Sequence, residues 1–88
     1  MKDLIVESAF LKDWKRLEKK NYNKQDLLDV VQMLRENLVQ GKLRDHALSG
    51  NYRGYRECHV RSNWLLVYKS TETEIILVAT GIHDDLFK

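Results

Sequence analysis

Hydrophobic positions along the chain change their period near its middle, which divides the sequence into a helical half and a β half. Leu4, Ile5 and Val6 make a short apolar run within Asp3 to Glu7, long enough for one strand. From Ala9 to about Lys20, Phe10, Leu11, Trp14 and Leu17 recur every three or four residues, while Lys12, Asp13, Lys15, Arg16 and Glu18 fill the other side. That spacing predicts an amphipathic helix, with Ser8 as its N-cap. Asn21-Tyr22-Asn23 interrupts the pattern, and Asn23 is placed to cap a second helix whose stripe is Leu27, Val31, Leu34 and Leu38. Gly41 is the expected stop.

Past Gly41 the apolar residues alternate, with Gly50-Asn51 and Gly54 as punctuation. Three strands are predicted: Tyr52 to Val60, Trp64 to Lys69, and Glu74 to Thr80. The connections Arg61-Ser62-Asn63 and Ser70-Thr71-Glu72-Thr73 are short enough to make both turns antiparallel hairpins. The expected fold is α+β in the order β-α-α-β-β-β. Two N-terminal helices should lie across one face of a small, twisted, mainly antiparallel sheet, leaving part of the other face open.

With 43% hydrophobic and 32% charged residues in 88, the chain is too apolar for a disordered tail and too short for two cores. One domain over 1–88 is expected. Fifteen Lys+Arg against 13 Asp+Glu give a net charge of +2, which permits an RNA partner without demanding one. The single Cys58 excludes an internal disulfide and points to a reducing compartment. No stretch approaches the roughly 18 apolar residues of a membrane span, so a cytoplasmic protein with no membrane partner is expected.

His46, His59 and His83 all fall in the β half. Histidine titrates near neutral pH, so two of them can remove one proton and deliver another without a metal. Spacing alone leaves open three unrelated surface histidines. Glu57 and His59, two apart on a predicted strand, should leave the same face about 7 Å apart, with Arg56, Cys58 and Val60 facing the other way. A carboxylate beside an imidazole would hold the ring and favour its charged form. A Cys58–His59 metal site is disfavoured, because neighbouring strand residues point to opposite faces; Cys58 reads instead as a small buried hydrophobe. Arg53, Arg56, Arg61 and Lys69 alternate with Tyr52, Tyr55, Trp64 and Tyr68, a mixture suited to phosphates and stacked bases. Trp14 and Tyr68 read as core, whereas Trp64, opening a strand beside a polar hinge, is a candidate for the site. No phosphate-binding glycine loop or Gly-x-Ser-x-Gly elbow is present.

Taken together, Asp45-His46-Ala47-Leu48-Ser49-Gly50, Gly54-Tyr55-Arg56-Glu57-Cys58-His59-Val60, Trp64-Leu65-Leu66-Val67-Tyr68-Lys69, Gly81-Ile82-His83 and Leu86-Phe87 resemble the YafQ branch of the RelE superfamily of bacterial toxins. The motifs run from Asp45 to Phe87; the helical half agrees in length and order only. The resemblance implies a toxin that cuts mRNA in the ribosomal A site, with neither metal nor cofactor. It also implies an antitoxin that blocks the toxin and co-represses their operon with it. By motif, His46 and His83 are the acid and base candidates, and His59 and Glu57 complete the catalytic set. Arg53, Arg56, Asn63, Trp64 and Phe87 are the expected substrate contacts. Asn63 stands where some relatives have Asp, so no ionised carboxylate is expected there. The rival expectation is a noncatalytic RNA-binding, ribosome-binding or protein-interaction module.

Overall fold

The first and last strands lie side by side and parallel, closing one edge of a five-stranded sheet. In the computed structural model, which describes residues 1–38 and 43–86, the chain runs β1 (Asp3–Val6), α1 (Ser8–Lys19), α2 (Lys24–Arg35) and β2 (His46–Ala47). A 3-10 turn (Gly50–Tyr52) follows, then β3 (Arg56–Arg61), β4 (Trp64–Ser70), β5 (Glu74–Gly81) and α3 (His83–Leu86). Sheet order is β1-β5-β4-β3-β2. Only β1–β5 is parallel; the other three pairings are antiparallel, and the two predicted hairpins join β3 to β4 and β4 to β5. This is the expected α+β fold with two N-terminal helices on a mainly antiparallel sheet.

The helical stripes find their partners on one face of the sheet. Phe10, Trp14 and Leu17 of α1 and Leu27, Val30, Val31 and Leu34 of α2 form one buried cluster with Cys58, Leu66, Tyr68, Ile75 and Leu77. Trp64 belongs to this cluster too, at 3% exposure, which corrects its expected place on the substrate side. Its ring stacks on Trp14 with centroids 6.2 Å apart and meets Tyr22 edge-on at 5.0 Å. The indole Nε1–H donates to Thr80 Oγ1 at 2.8 Å, and that hydroxyl donates to the Leu65 carbonyl at 2.7 Å. A buried indole needs such a partner. The reason is alternation: Trp64, Leu66 and Tyr68 are two apart on β4, so they share the helix-covered face.

Other departures are local. Ser8 is the first residue of α1, and Glu7 holds the N-cap position without a side-chain bond. Asn23 does cap α2, accepting from the Asp26 N–H at 3.1 Å. α2 ends at Arg35, and Asn37 turns the chain with φ 59°; Leu38 therefore lies beyond the helix and is 51% exposed. Gly41 lies outside the described residues. The strand expected from Tyr52 begins only at Arg56, because Tyr52 ends the 3-10 turn and Gly54 takes φ 95°. β2 and α3, with two and four residues, are additional to the expected order; they are too short for a periodic signal.

Burial pushes the Cys58 thiol up to about 12 from 9.0. Burial, reinforced by the Asp45 carboxylate, also holds the Tyr68 phenol above its ordinary 10.0. Both groups keep a proton in the folded state that the unfolded chain gives up first. Their contribution to stability is complete below the unfolded values and is lost as pH rises through the folded ones. Denaturant unfolding measured between about pH 8 and 12 should show stability falling from about pH 9 upward, and less steeply in Cys58→Ala. An identical slope in that variant would contradict the account.

Candidate active site

Two titratable candidates on β3 point away from Cys58 and the apolar cluster it belongs to. Alternation along β3 sends Glu57 and His59 to one face, opposite in sense to Cys58. Pairing then sets their neighbours: His46 of β2 lies opposite Glu57, which lies opposite Val67, which lies opposite Ala79. In the next row His59 lies opposite Leu65, and Leu65 opposite Gly81. His46, Glu57 and His59 thus occupy one corner of the face, the two rows about 7 Å apart. Gly81 sits two strand spacings, about 10 Å, from His59 on the same row, and His83 follows it at the start of α3. Gly81 turns the chain there with φ 156°, a conformation L side chains rarely adopt. Tyr52 OH donates to the Leu86 carbonyl at 3.4 Å, linking the 3-10 turn to α3.

Backbone carbonyls fix which ring nitrogens bear hydrogen. His46 Nδ1 lies 2.9 Å from the Arg44 carbonyl oxygen and His59 Nδ1 lies 3.2 Å from that of Ser62. A carbonyl can only accept, so each Nδ1 carries the proton and each neutral ring keeps its lone pair on Nε2. The Arg44 carbonyl is aimed by a left-handed backbone at Arg44, φ 51°, an unusual conformation for a side chain of this kind. On its other side, His46 Nε2 faces Glu57 Oε1 at 3.5 Å. Glu57 therefore meets an imidazole, but that of His46 across the strand pair and not that of His59 along the strand. Cross-strand residues are closer than i, i+2 residues, which decides the partner. The Glu57 side chain is only 7% exposed, whereas that of His46 is half-exposed.

His83 opens α3 two residues beyond Gly81 and is exposed, with Nδ1 3.9 Å from Asp84 Oδ1. A cavity of about 260 Å³ brings Asn63, Ile82, His83 and Asp84 together. Arg53 follows the 3-10 turn and is exposed. Arg56, expected on the substrate, has a side chain that is 41% exposed but grips a buried carboxylate: its Nε donates to Asp45 Oδ1 at 2.7 Å, and its Nη2 donates to the same oxygen. Asp45 holds the guanidinium above its ordinary value. Arg61 is likewise tied to Asp26, Nη2 to Oδ2 at 2.7 Å. Phe87 lies outside the described residues. Among the described residues no group of three or more His, Cys, Asp or Glu side chains is arranged to hold a metal ion. No described helix is long and apolar enough to cross a membrane. Asp45 and the Arg44 carbonyl were not singled out from the sequence; the Asp-His pair was part of the motif, but only burial reveals what the acid does.

Two helices on a β1-β5-β4-β3-β2 sheet with this corner of histidines define a RelE-like toxin fold. A family model described as the bacterial toxin of a type II toxin-antitoxin system, YafQ, matches residues 2–88, and the chain belongs to that family. The mRNA interferase toxin YafQ of Escherichia coli strain K12 is 31% identical over 98% of this chain and 96% of its own length. A copper-bound mutant toxin from Helicobacter pylori superposes with a TM-score of 0.92 at 33% identity, over 99% of this chain and all of the other. The toxin in the E. coli DinJ-YafQ toxin-antitoxin complex gives 0.90 at 30% identity, over 99% of this chain and 98% of that one.

The ring assignments are directly measurable. Side-chain nitrogen NMR of the neutral rings should show a protonated Nδ1 and an unprotonated Nε2 for both His46 and His59. Spectra with Nε2 protonated and Nδ1 bare would contradict the carbonyl contacts at Arg44 and Ser62.

Proposed function

We propose that this chain is a ribosome-dependent mRNA endoribonuclease toxin, inhibited by a cognate antitoxin, that cleaves by attack of a ribose 2′-hydroxyl on the adjacent phosphate. The observation that carries the reading is the corner of His46, Glu57 and His59, with His83 two residues beyond Gly81, which shares the row of His59. The E. coli relative is named an mRNA interferase and is solved with an antitoxin; both properties are extended here to this chain.

In this reading His46 is the base. Its Nε2 lone pair takes the 2′-hydroxyl proton while Nδ1–H stays on the Arg44 carbonyl. Once Nε2 is protonated, Nδ1–H stays on the Arg44 carbonyl and the ring's positive charge lies 3.5 Å from the Glu57 carboxylate. Glu57 thus stabilises the charge that the reaction creates, which is where electrostatic help lowers a barrier. The freed 2′-oxygen bonds to phosphorus and the 5′-oxygen departs with a proton from His83. A cyclic phosphate is left upstream and a 5′-hydroxyl downstream. Exposed Arg53, together with His59 in its imidazolium form donating from Nε2–H, is assigned to the crowded phosphate oxygens, and Asn63 orients the leaving side beside His83. Trp64 acts from the core by fixing the start of β4.

His46→Ala and His83→Ala should each reduce cleavage on programmed ribosomes by at least about 100-fold while keeping the circular dichroism spectrum and melting temperature near wild type. An mRNA with sulfur at the bridging 5′ position needs little help from an acid, since a thiolate leaves unprotonated. His83→Ala should therefore recover strongly on it and His46→Ala should not. Equal defects of His83→Ala on both substrates would remove its acid role, and rescue of His46→Ala instead would exchange the two. Wild-type protein that binds ribosomes without cutting mRNA would place the chain among noncatalytic ribosome-binding modules.

A further inference from the structure

β2, the strand that carries His46, is only two residues long and both are exposed, so its pairing with β3 is too short to set a side chain within catalytic tolerance. Something else must hold it. The residue immediately before His46 is Asp45, whose side chain is 1% exposed. Its Oδ1 accepts from Arg56 Nε and Nη2, and its Oδ2 accepts from Tyr68 OH. Arg56 is on β3 and lies opposite Ala47, the other residue of β2. Tyr68 is 2% exposed on β4, on the helix-covered face of the sheet. Two strands of the sheet therefore grip one carboxylate, and His46 is the next residue along.

We propose that Asp45, held by Arg56 and Tyr68, is the positioning residue for His46: the buried grip sets the edge strand so that the His46 ring stands between the Arg44 carbonyl and Glu57. This assigns Arg56 to the clamp and not to the RNA. It rests on the reading of His46 as the base. Tyr68 makes the test clean, because a side chain buried under α1 and α2 cannot touch mRNA, so any catalytic effect of its hydroxyl is transmitted through Asp45. A buried carboxylate stripped of a donor is poorly satisfied and shifts to find another, which moves the residues attached to it.

Tyr68→Phe, which removes one oxygen, and Arg56→Lys, which keeps the charge and loses the two-pronged grip, are compared with wild type in cleavage of mRNA on programmed ribosomes. The clamp predicts that kcat falls about 10-fold in each, with KM changed less than twofold. In an Asp45→Ala background, adding Tyr68→Phe should cost nothing further, since the pair acts as one unit. In the same variants, measured without ribosomes, the His46 Nδ1–H signal should shift or exchange faster while that of His59 stays unchanged. A raised KM with unchanged kcat in Arg56→Lys would make Arg56 an RNA contact and overturn the clamp. So would full kcat in Tyr68→Phe. A wild-type protein that fails to cut mRNA defeats the functional reading but not the clamp, and the His46 signal then decides the clamp alone: unshifted in both variants, it is refuted.

Discussion

Strand alternation in β3 and β4 is the constraint on which both the core and the site depend. Each of these strands is asked to face two ways, with Cys58, Leu66 and Tyr68 against the helices and Glu57, His59, Leu65 and Val67 on the other side. A one-residue slip would bring His59 and Glu57 into the apolar cluster and push Cys58 out of it, at the cost of burying polar groups without partners. The apolar face therefore enforces the register that brings the catalytic candidates together. Irregularities fall where they do no harm to this arrangement: the pairing shifts between His59 and Arg61 and between Val67 and Tyr68, outside the two-row block formed by Glu57–His59 and Leu65–Val67. Between the Trp64 indole and the Asp13 carboxylate, Thr80 adds a polar lock. Its hydroxyl accepts from the indole and its N–H donates to Asp13 Oδ2 at 3.1 Å, pinning α1 to β5.

Much of this was legible in the sequence because long, regular elements advertise themselves. Phe10, Trp14 and Leu17 at helical spacing, and Trp64, Leu66 and Tyr68 at strand spacing, locate the core without coordinates. The latter triplet also shows what sequence reading can miss by weighing residues one at a time. Tyr68 was assigned to the core and Trp64 to the substrate side, although four positions along one strand place them on the same face. The polar hinge before Trp64 suggested exposure, but Tyr22, from the turn between the helices, covers the ring. That contact joins residues 42 apart and leaves no local trace.

The candidates were legible as single residues but not as a set of pairs. His46, His59, His83 and Glu57 stand in motifs, so each could be singled out as a candidate; which imidazole Glu57 meets could not be read. Along β3 its nearest titratable neighbour on the same face is His59, while the two-residue β2 that brings His46 across from it is invisible to any periodicity. Asp45 was hidden for a related reason. An acid beside a histidine in a loop sequence reads as a solvated surface residue, and its burial depends on Arg56 and Tyr68 arriving from two different strands.

The buried carboxylates of Asp45, just before β2, and Glu57, on β3, differ in how fully their charge is compensated, and that difference separates structure from chemistry. Asp45 has a permanently charged guanidinium and a phenol that burial keeps protonated, so its surroundings stay the same across the neutral pH range. Removing its donors would strand the Asp45 charge, since that side chain is only 1% exposed. Glu57 has instead a half-exposed imidazole at 3.5 Å, a partner whose charge changes when it takes up a proton. A carboxylate fully satisfied in every state can anchor a strand but gains nothing when a proton moves. One whose partner is neutral before the proton transfer and cationic after it is stabilised only as the reaction proceeds, and that differential is what catalysis requires. By this criterion Asp45 is suited to holding the edge strand in place, and Glu57 is the one of the two suited to the proposed reaction.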